Sequence, residues 1–363
     1  MIRFLIGFDR VSEFKFLNTS SKVSFSVIIP FRNESESLPQ LLASIKGLNY
    51  PLKHVEFIFV DDDSTDNSVS IITKYVKGLE DSTKSNIRIL KNVRAFASPK
   101  KDAIQTAIQH AAHEWIITTD ADCSLPKNWL QCYNAYIQKH EVIMIAGPVS
   151  YHKGSSFLSI LQYIEFHTLQ TVTIGSFGIE NAIMCNGANL AYTKSAFSSV
   201  NGFQDNNTIA SGDDVFLFEK MYRLDKKKVH FLKSEAALVT TLPEKNWKGF
   251  IEQRVRWASK SSHYKNSFTK LVGLLVVLGN LGFVTGFLLT IFQVFTLQFL
   301  LVIFVLKATA DFLLYQKFNR FFTREQKPSF YIISSFVYPF VSTFILILTV
   351  FSGYTWKDRH FMK

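Results

Sequence analysis

From residue 271 to residue 306 the chain runs 36 residues without a charged side chain. As one α-helix at 1.5 Å per residue that run would be about 54 Å long, against a hydrocarbon core of about 30 Å. It therefore reads as two apolar segments, 271–292 and 296–315, with a polar break near Gln293 to Gln298. A second uncharged run, 329–356, supplies a third segment, 329–353. No water-soluble core needs apolar stretches this long, so residues 269–363 are expected to form a membrane region. Pro339 sits inside the third segment and leaves open whether it spans or is re-entrant. Lys307 and Asp311, four apart in the second, have the spacing to pair with each other on a helix.

The remainder of the charge agrees with a bilayer partner. The net charge is +11, and residues 266–363 carry nine Lys/Arg against three Asp/Glu. Residues 245–265 add six more basic side chains against Glu252. Basic residues beside spans face the cytoplasm and attract anionic headgroups. Lys317, Arg320, Arg324 and Lys327 assign the loop before the third segment to that side, whereas a third full span would put Lys357 and Arg359 outside. This clustering gives no nucleic-acid motif, and no nucleic-acid partner is expected. The opening MIRFLIGFDR is too short in apolar residues for a signal peptide and reads as part of an N-terminal segment, 1–22, at the interface. Cys123, Cys132 and Cys185 have no paired or metal-ligand spacing, which fits a reducing compartment. The polar region is thus expected at the cytoplasmic face of the inner membrane.

Within that polar region, short apolar runs alternate with helical spacing. Runs at 25–30, 55–60, 87–90 and 115–119 read as strands, and 38–46, 67–76 and 100–112 as helices. Such alternation predicts βαβ units and a mostly parallel sheet, with ligands outside the carboxyl ends of the strands. Three acidic clusters fall at those ends: Pro30-Phe31-Arg32-Asn33-Glu34, Asp61 to Asp66, and Asp120-Ala121-Asp122. Carboxylates crowded on one edge repel unless a cation compensates them. Neither GxGxxG nor GxxxxGK[ST] occurs, so a nucleotide here would be held by carboxylates and a metal. Asp120 and Asp122 can both reach one hard ion, Mg²⁺ or Mn²⁺; the plainer reading is a polar turn after a strand. Ser64 or Asp66 can cap the following helix, whereas Asp61 and Asp62 come too early for that and suit a base or ribose. Ser211-Gly212-Asp213-Asp214 is either a helix cap or a general base for an acceptor hydroxyl. Gln253, Arg256 and Trp257 share one helix face and offer a guanidinium fork for diphosphate and a flat ring for a sugar; an interfacial amphipathic helix over 245–268 accounts for them equally.

Taken together, SVIIPFRNE, VDDDSTD, TDADC, NGANLAYTK, SGDD and QRVRW resemble the family 2 glycosyltransferases, in the membrane-bound QxxRW branch of cellulose, chitin, hyaluronan and poly-N-acetylglucosamine synthases. The match covers about residues 23–260 and keeps the motif order. The resemblance implies an α/β GT-A catalytic domain over 23–244, an inverting reaction and a nucleotide-diphospho-sugar donor, a UDP-sugar first. It implies that Pro30, Arg32 and Glu34 line the nucleotide pocket and that Asp61 and Asp62 contact base and ribose. Lys100 or Lys101 falls near the phosphates, and Asp120 and Asp122 hold the metal and diphosphate. Asn186, Gly187 and the following Ala188-Asn189 border the donor sugar and acceptor. Asp214 is the implied catalytic base, with Asp213 where the family usually has Glu, and Gln253, Arg256 and Trp257 close over diphosphate and acceptor.

Three segments, all after the catalytic region, are fewer than the large synthases carry. That favours transfer to a lipid-linked acceptor, or work on a glycan with a membrane partner subunit or in a homo-oligomer. Two other readings stay open at this point: a catalytically silent scaffold of a glycan-assembly complex, and a nucleotide-binding oxidoreductase, which the missing GxGxxG disfavours.

Overall fold

The computed structural model describes the chain except residues 17, 81–83, 207–208, 210, 324–329, 352, 357–358 and 362–363. Arg324, Lys327 and Lys357 therefore lie outside the described residues. The fold divides into two compact units. One comprises residues 11–150 and 184–242; the other comprises 1–10, 151–183 and 243–363.

The first unit is built on a seven-stranded sheet: β1 (Phe25–Phe31), β2 (Val55–Asp61), β3 (Ile87–Lys91), β4 (Trp115–Thr118), β5 (Met144–Ala146), β7 (Leu190–Thr193) and β8 (Val229–Phe231), in the order β3-β2-β1-β4-β7-β5-β8. β3, β2, β1 and β4 are mutually parallel; β7 runs antiparallel to β4 and β5, and β8 is parallel to β5. The runs FSVIIPF and VEFIFVD are buried along almost their whole length, the pattern of strands covered on both faces. α2 (Leu38–Lys46), α3 (Ser68–Lys77) and α4 (Pro99–His110) make the crossovers, each bounded by proline at its start or glycine just past its end. The register pairs Phe31 with Asp61, so β1 and β2 end level, while β4 stops at Thr118 opposite Ile28, which leaves Asp120 just past its end on the same edge. Chain order reverses between β1 and β4, which makes this edge the switch point where open α/β sheets bind ligands. α5 (Trp129–Ile137) follows β4, and a two-stranded ribbon of β6 (Val149–Tyr151) and β9 (Val239–Thr241) flanks the sheet.

At the opposite end of β2, Glu56 ties three segments together. Its Oε1 accepts from Ser26 Oγ at 2.5 Å and Ala112 N at 2.6 Å, and Arg88 pairs with Oε2. Burial by itself raises its pKa; the Ser26 and Ala112 hydrogen bonds and Arg88 outweigh burial and hold it below the usual value. A depressed folded pKa means stability that is present above the unfolded value, about 4.3, and lost as pH falls below it. Glu56→Gln is expected to lower stability at neutral pH by about 1–3 kcal/mol. It should also flatten the decline between pH 5 and 3, read as thermal midpoint against pH. An unchanged acid slope in the variant would remove Glu56 from this account.

The second unit is helical. α10 (Ser267–Ile291), α11 (Leu297–Phe318) and α12 (Tyr331–Phe351) are each long and apolar enough to cross a membrane. The break between the first two falls in the polar stretch: Gln293 takes a positive φ of 58°, and Thr296 Oγ1 accepts from Phe299 N to start α11. Asn266 caps α10 in the same way. α12 continues through Pro339 as one helix. Phe283 and Phe287 of α10 meet Phe336 and Phe340 of α12 edge-on. Lys307 Nζ sits 2.5 Å from Asp311 Oδ2, the pairing their spacing allows. Preceding these in sequence are α1 (Ile2–Arg10), α6 (Phe157–Gly178) and α9 (Trp247–Ser259). α1 meets α6 backbone to backbone. A Cβ on Gly7 would lie 2.1 Å from the Gly175 carbonyl oxygen, and one on Gly178 would lie 1.8 Å from that of Gly7.

Candidate active site

The carboxyl edge of the sheet gathers the acidic clusters, each used differently. Asp62 is nearly sealed, 5% exposed. Its Oδ1 accepts from Asn92 Nδ2 at 2.6 Å and lies 3.4 Å from Arg94 Nη1, while Arg94 Nε reaches Asp102 Oδ2 at 3.0 Å. Asp61 makes a turn: its Oδ1 accepts from Ser64 N at 2.9 Å. Asp66, rather than Ser64, serves the start of α3, accepting from Ser68 N at 2.9 Å and from Ser35 N at 3.0 Å. Those bonds to Ser68 and Ser35 outweigh the opposing effect of burial and hold its pKa at about 2. Arg32 Nη1 donates to the carbonyls of Asp62 and Asp63, both at 2.7 Å, and so fastens the loop after β2 to the end of β1. Pro30 lies in β1, and Glu34 donates its N–H to Ser68 Oγ at the turn into α2.

Beside β4 the geometry converges on Lys100. Its Nζ lies 2.6 Å from Asp120 Oδ1 and 3.3 Å from Asp213 Oδ2. Burial opposes the charged form, but Asp120, Asp213 and Asp214 outweigh it and hold the pKa above that of a free lysine. The protein thus supplies part of the compensating charge that the sequence assigned to a bound cation. Beyond α7 (Lys194–Ser199), Asp213 and Asp214 form the first turn of α8 (Asp213–Leu224). Gly212 ahead of them has φ +85°, and a Cβ there would strike the Phe216 ring at 2.6 Å, which explains the glycine of SGDD. Asp214 Oδ2 accepts from Gly187 N at 3.2 Å and Oδ1 from Val215 N at 2.7 Å. Thr118 Oγ1 donates to the Gly187 carbonyl at 2.8 Å, tying β4 to the NGAN turn. A Cβ on Gly187 would lie within 3.5 Å of Asp213, Asp214 and Lys100 together. Cys123 is buried beside this edge; burial first, then Asp122 and Asp120, push its thiol well up, so it is no nucleophile.

Two more of the side chains named by the resemblance lie buried behind this edge. Lys101, fully buried, donates to the carbonyls of Asn206 at 2.7 Å and Ile209 at 2.8 Å, securing the loop that leads to SGDD. Asn189 is also fully buried, and its amide is engaged by protein on every side. Asn186 stands half-buried at the start of the same turn. Gln253, Arg256 and Trp257 are on α9, in the helical unit.

Asp120 and Asp122 are the carboxylates that would hold a divalent ion completed by substrate, and Asp120 Oδ1 is engaged by Lys100 Nζ at 2.6 Å. Among the described residues no group of three or more His, Cys, Asp or Glu is arranged to hold a metal by itself. Mg²⁺ and Mn²⁺ in phosphate sites take one or two carboxylates and draw their remaining ligands from phosphate and water. Two aspartates one residue apart at a strand end meet that requirement.

A mostly parallel sheet with acidic strand ends, followed by apolar helices, defines a GT-A-like transferase. The sequence model described as "Glycosyl transferase family 2" matches residues 26–200, and that of "Glycosyl transferase family group 2" matches 115–351. The chain belongs to the family 2 glycosyltransferases. It is 26% identical over 236 residues to the poly-beta-1,6-N-acetyl-D-glucosamine synthase of Staphylococcus epidermidis, covering 64% of this chain and 53% of that protein. The chain therefore spans about half the length of that relative. It is 31% identical over 134 residues to the undecaprenyl-phosphate 4-deoxy-4-formamido-L-arabinose transferase of Shewanella sediminis, covering 37% of this chain and 38% of that one. A mannosyltransferase from Pyrobaculum calidifontis, solved with GDP-Man and Mn²⁺, has the same fold: TM-score 0.51, 18% identity, 71% of this chain and 68% of that one.

Proposed function

We propose that this protein moves a sugar from a nucleotide-diphospho-sugar, a UDP-sugar first, to a lipid-linked or glycan acceptor at the cytoplasmic face of the inner membrane, with inversion at the anomeric carbon. The observation that carries the reading is the convergence of Lys100, Asp120, Asp213, Asp214 and Gly187 at the switch point of the sheet. Asp62, oriented by Asn92 and Arg94, binds the base, and Asp61 the ribose. Pro30, Arg32 and Glu34 shape that pocket, Arg32 by fixing the loop that carries Asp62. Asp214 removes the proton of the acceptor hydroxyl as its oxygen bonds to the anomeric carbon. The bond to the nucleoside diphosphate breaks on the opposite face, and that group departs with the electron pair. Asp120 and Asp122 hold a divalent ion, Mg²⁺ or Mn²⁺, which supplies neutralisation of the diphosphate charge. Lys100, kept protonated, adds a fixed positive charge beside Asp120. Gln253, Arg256 and Trp257 serve the diphosphate and the acceptor end, and Asn186 and Gly187 border the sugar.

The names of the two relatives cover both acceptor classes, a polysaccharide and a lipid phosphate. Three apolar helices suit short transfers to a lipid-linked acceptor, or a longer product made with a partner subunit or in a homo-oligomer. The test is nucleotide release by the purified, detergent-solubilised chain. UDP-, GDP- and dTDP-sugars are offered with Mn²⁺ or Mg²⁺, with and without membrane lipid extract. Metal-dependent release stimulated by lipid is the expected result, and it names the donor. Folded protein that releases no nucleotide from any donor under any of these conditions would favour the silent scaffold.

A further inference from the structure

Arg254 occupies one of the two intervening positions of the QxxRW pattern, and nothing in that pattern assigns it work. In the helical unit it is 5% exposed and is the centre of a cluster. Its Nε donates to Glu165 Oε1 and Oε2, both at 3.0 Å, and its Nη2 lies 2.9 Å from Oε2. Its Nη1 donates to Gln253 Oε1. The guanidinium carbon stands 4.2 Å from the centre of the Trp257 ring and 4.8 Å from that of Phe250. Glu165, on α6, is shared with α12, whose Tyr338 hydroxyl donates to Oε1 at 3.2 Å. Gln253 is held from its other side as well: Nε2 donates to Glu244 Oε1 at 3.0 Å, and Tyr151 donates to Oε1 at 3.4 Å. Glu244 is in turn fastened to α6, its N–H donating to Gln162 Oε1 at 2.9 Å and its carbonyl accepting from Gln162 Nε2 at 3.0 Å.

A buried ion pair is a poor way to hold two helices together. Removing two charges from water costs about what their attraction returns, and a matched apolar pair does as well. What the guanidinium does here, and an apolar pair cannot, is geometric. It is flat and forked, so one group engages Glu165 edge-on, donates to Gln253 and presents its face to Trp257 at the same time. Both motif side chains therefore take their orientation from the same residue.

We propose that Arg254 is a positioning residue. Locked by Glu165 and Tyr338, it sets the side chains of Gln253 and Trp257 for the transfer reaction. Through Tyr338 it refers them to a helix long enough to span the bilayer. The inference rests on the reading of Gln253 and Trp257 as diphosphate and acceptor groups.

The test uses the full chain in detergent. Arg254→Lys keeps the charge but cannot make the fork and the stack together. It is expected to stay folded, with kcat for acceptor-dependent transfer down about 100-fold, the scale of a small misplacement of a reacting group. The donor KM should move less than about threefold, because the base and ribose contacts are elsewhere. The pair Glu165→Leu with Arg254→Met should regain thermal stability relative to Arg254→Met alone yet stay slow. Trp257 emission, isolated by subtracting spectra of Trp257→Phe backgrounds, should change between wild type and Arg254→Lys. Wild-type kcat in either folded variant overturns the proposal and makes the cluster purely structural. If the parent chain releases no nucleotide, the reading of the reaction has failed instead, and the emission change alone decides the positioning: an unchanged Trp257 signal then overturns it.

Discussion

Asp214→Asn is expected to lower kcat for sugar transfer by about 10²–10⁴-fold, the usual worth of one general base, with little change in donor KM. The fold should survive. Each Asp214 oxygen accepts one backbone N–H, from Gly187 and Val215. An asparagine keeps one of these bonds, and the residue opens α8 rather than closing a core. The Asp213–Lys100 contact at 3.3 Å is independent of the replaced group. Steady-state kinetics with the donor found in the screen, beside a thermal midpoint within a few degrees of wild type, is the measurement. A folded variant with undiminished kcat would relieve Asp214 of the proton and point to Asp213, its neighbour on the same helix turn.

The second large effect falls on stability. Asn189 Oδ1 accepts from Trp129 Nε1 and Tyr133 Oη, both at 2.9 Å, and its Nδ2 donates to the carbonyls of Pro148 and Ala237, both at 2.8 Å. Asn189→Leu takes this partner from the Trp129 and Tyr133 donors and from the Ala237 carbonyl at one point, while the Pro148 carbonyl keeps Val239 N at 3.1 Å. Each such group costs about 1–3 kcal/mol, against a total stability of about 5–15 kcal/mol for a domain. A loss of about 4 kcal/mol or more is expected, seen as failure to recover folded protein or a large fall in thermal midpoint. Leucine is close to asparagine in size, so the loss is one of polar pairing. A variant that folds normally but no longer transfers sugar would return Asn189 to the substrate side of the turn.

That last contrast marks where the sequence stopped being informative. The strands were legible because FSVIIPF and VEFIFVD are apolar without interruption, and the edge they share follows from parallel order. The apolar helices were legible from the length of the uncharged runs. Side-chain direction was not. NGAN reads as one polar patch, yet Gly187 lies against the acid pair while Asn189 turns fully inward. The resemblance implied that Arg32 lines the nucleotide pocket, but not that its Nη1 would donate to two backbone carbonyls. Asn92, Arg94 and Asp102 carry no spacing signal, because Asn92 and Arg94 reach Asp62 from the loop that joins β3 to α4 and Asp102, in α4, meets it only through Arg94. Residues 151–183, inside the expected catalytic domain 23–244, drew no reading of their own as an element. Their helix has polar residues buried all around it, including Gln162, His167, Gln170 and Thr171, so it presents neither an apolar stripe nor a long apolar run.

The glycine contact between α1 and α6 bears on which sequences this arrangement can accept. Most close packing in proteins is negotiable, because a larger group on one side can be met by a smaller one opposite. Here the opposing atoms are main-chain: the neighbour of a Cβ on Gly7 would be the Gly175 carbonyl, and that of a Cβ on Gly178 the Gly7 carbonyl. No second substitution can trim a carbonyl. A Cβ on Gly175 would likewise meet the Phe4 carbonyl, so these three positions have no partner mutations, and a lineage that loses one of the glycines must move a whole helix to keep the other two.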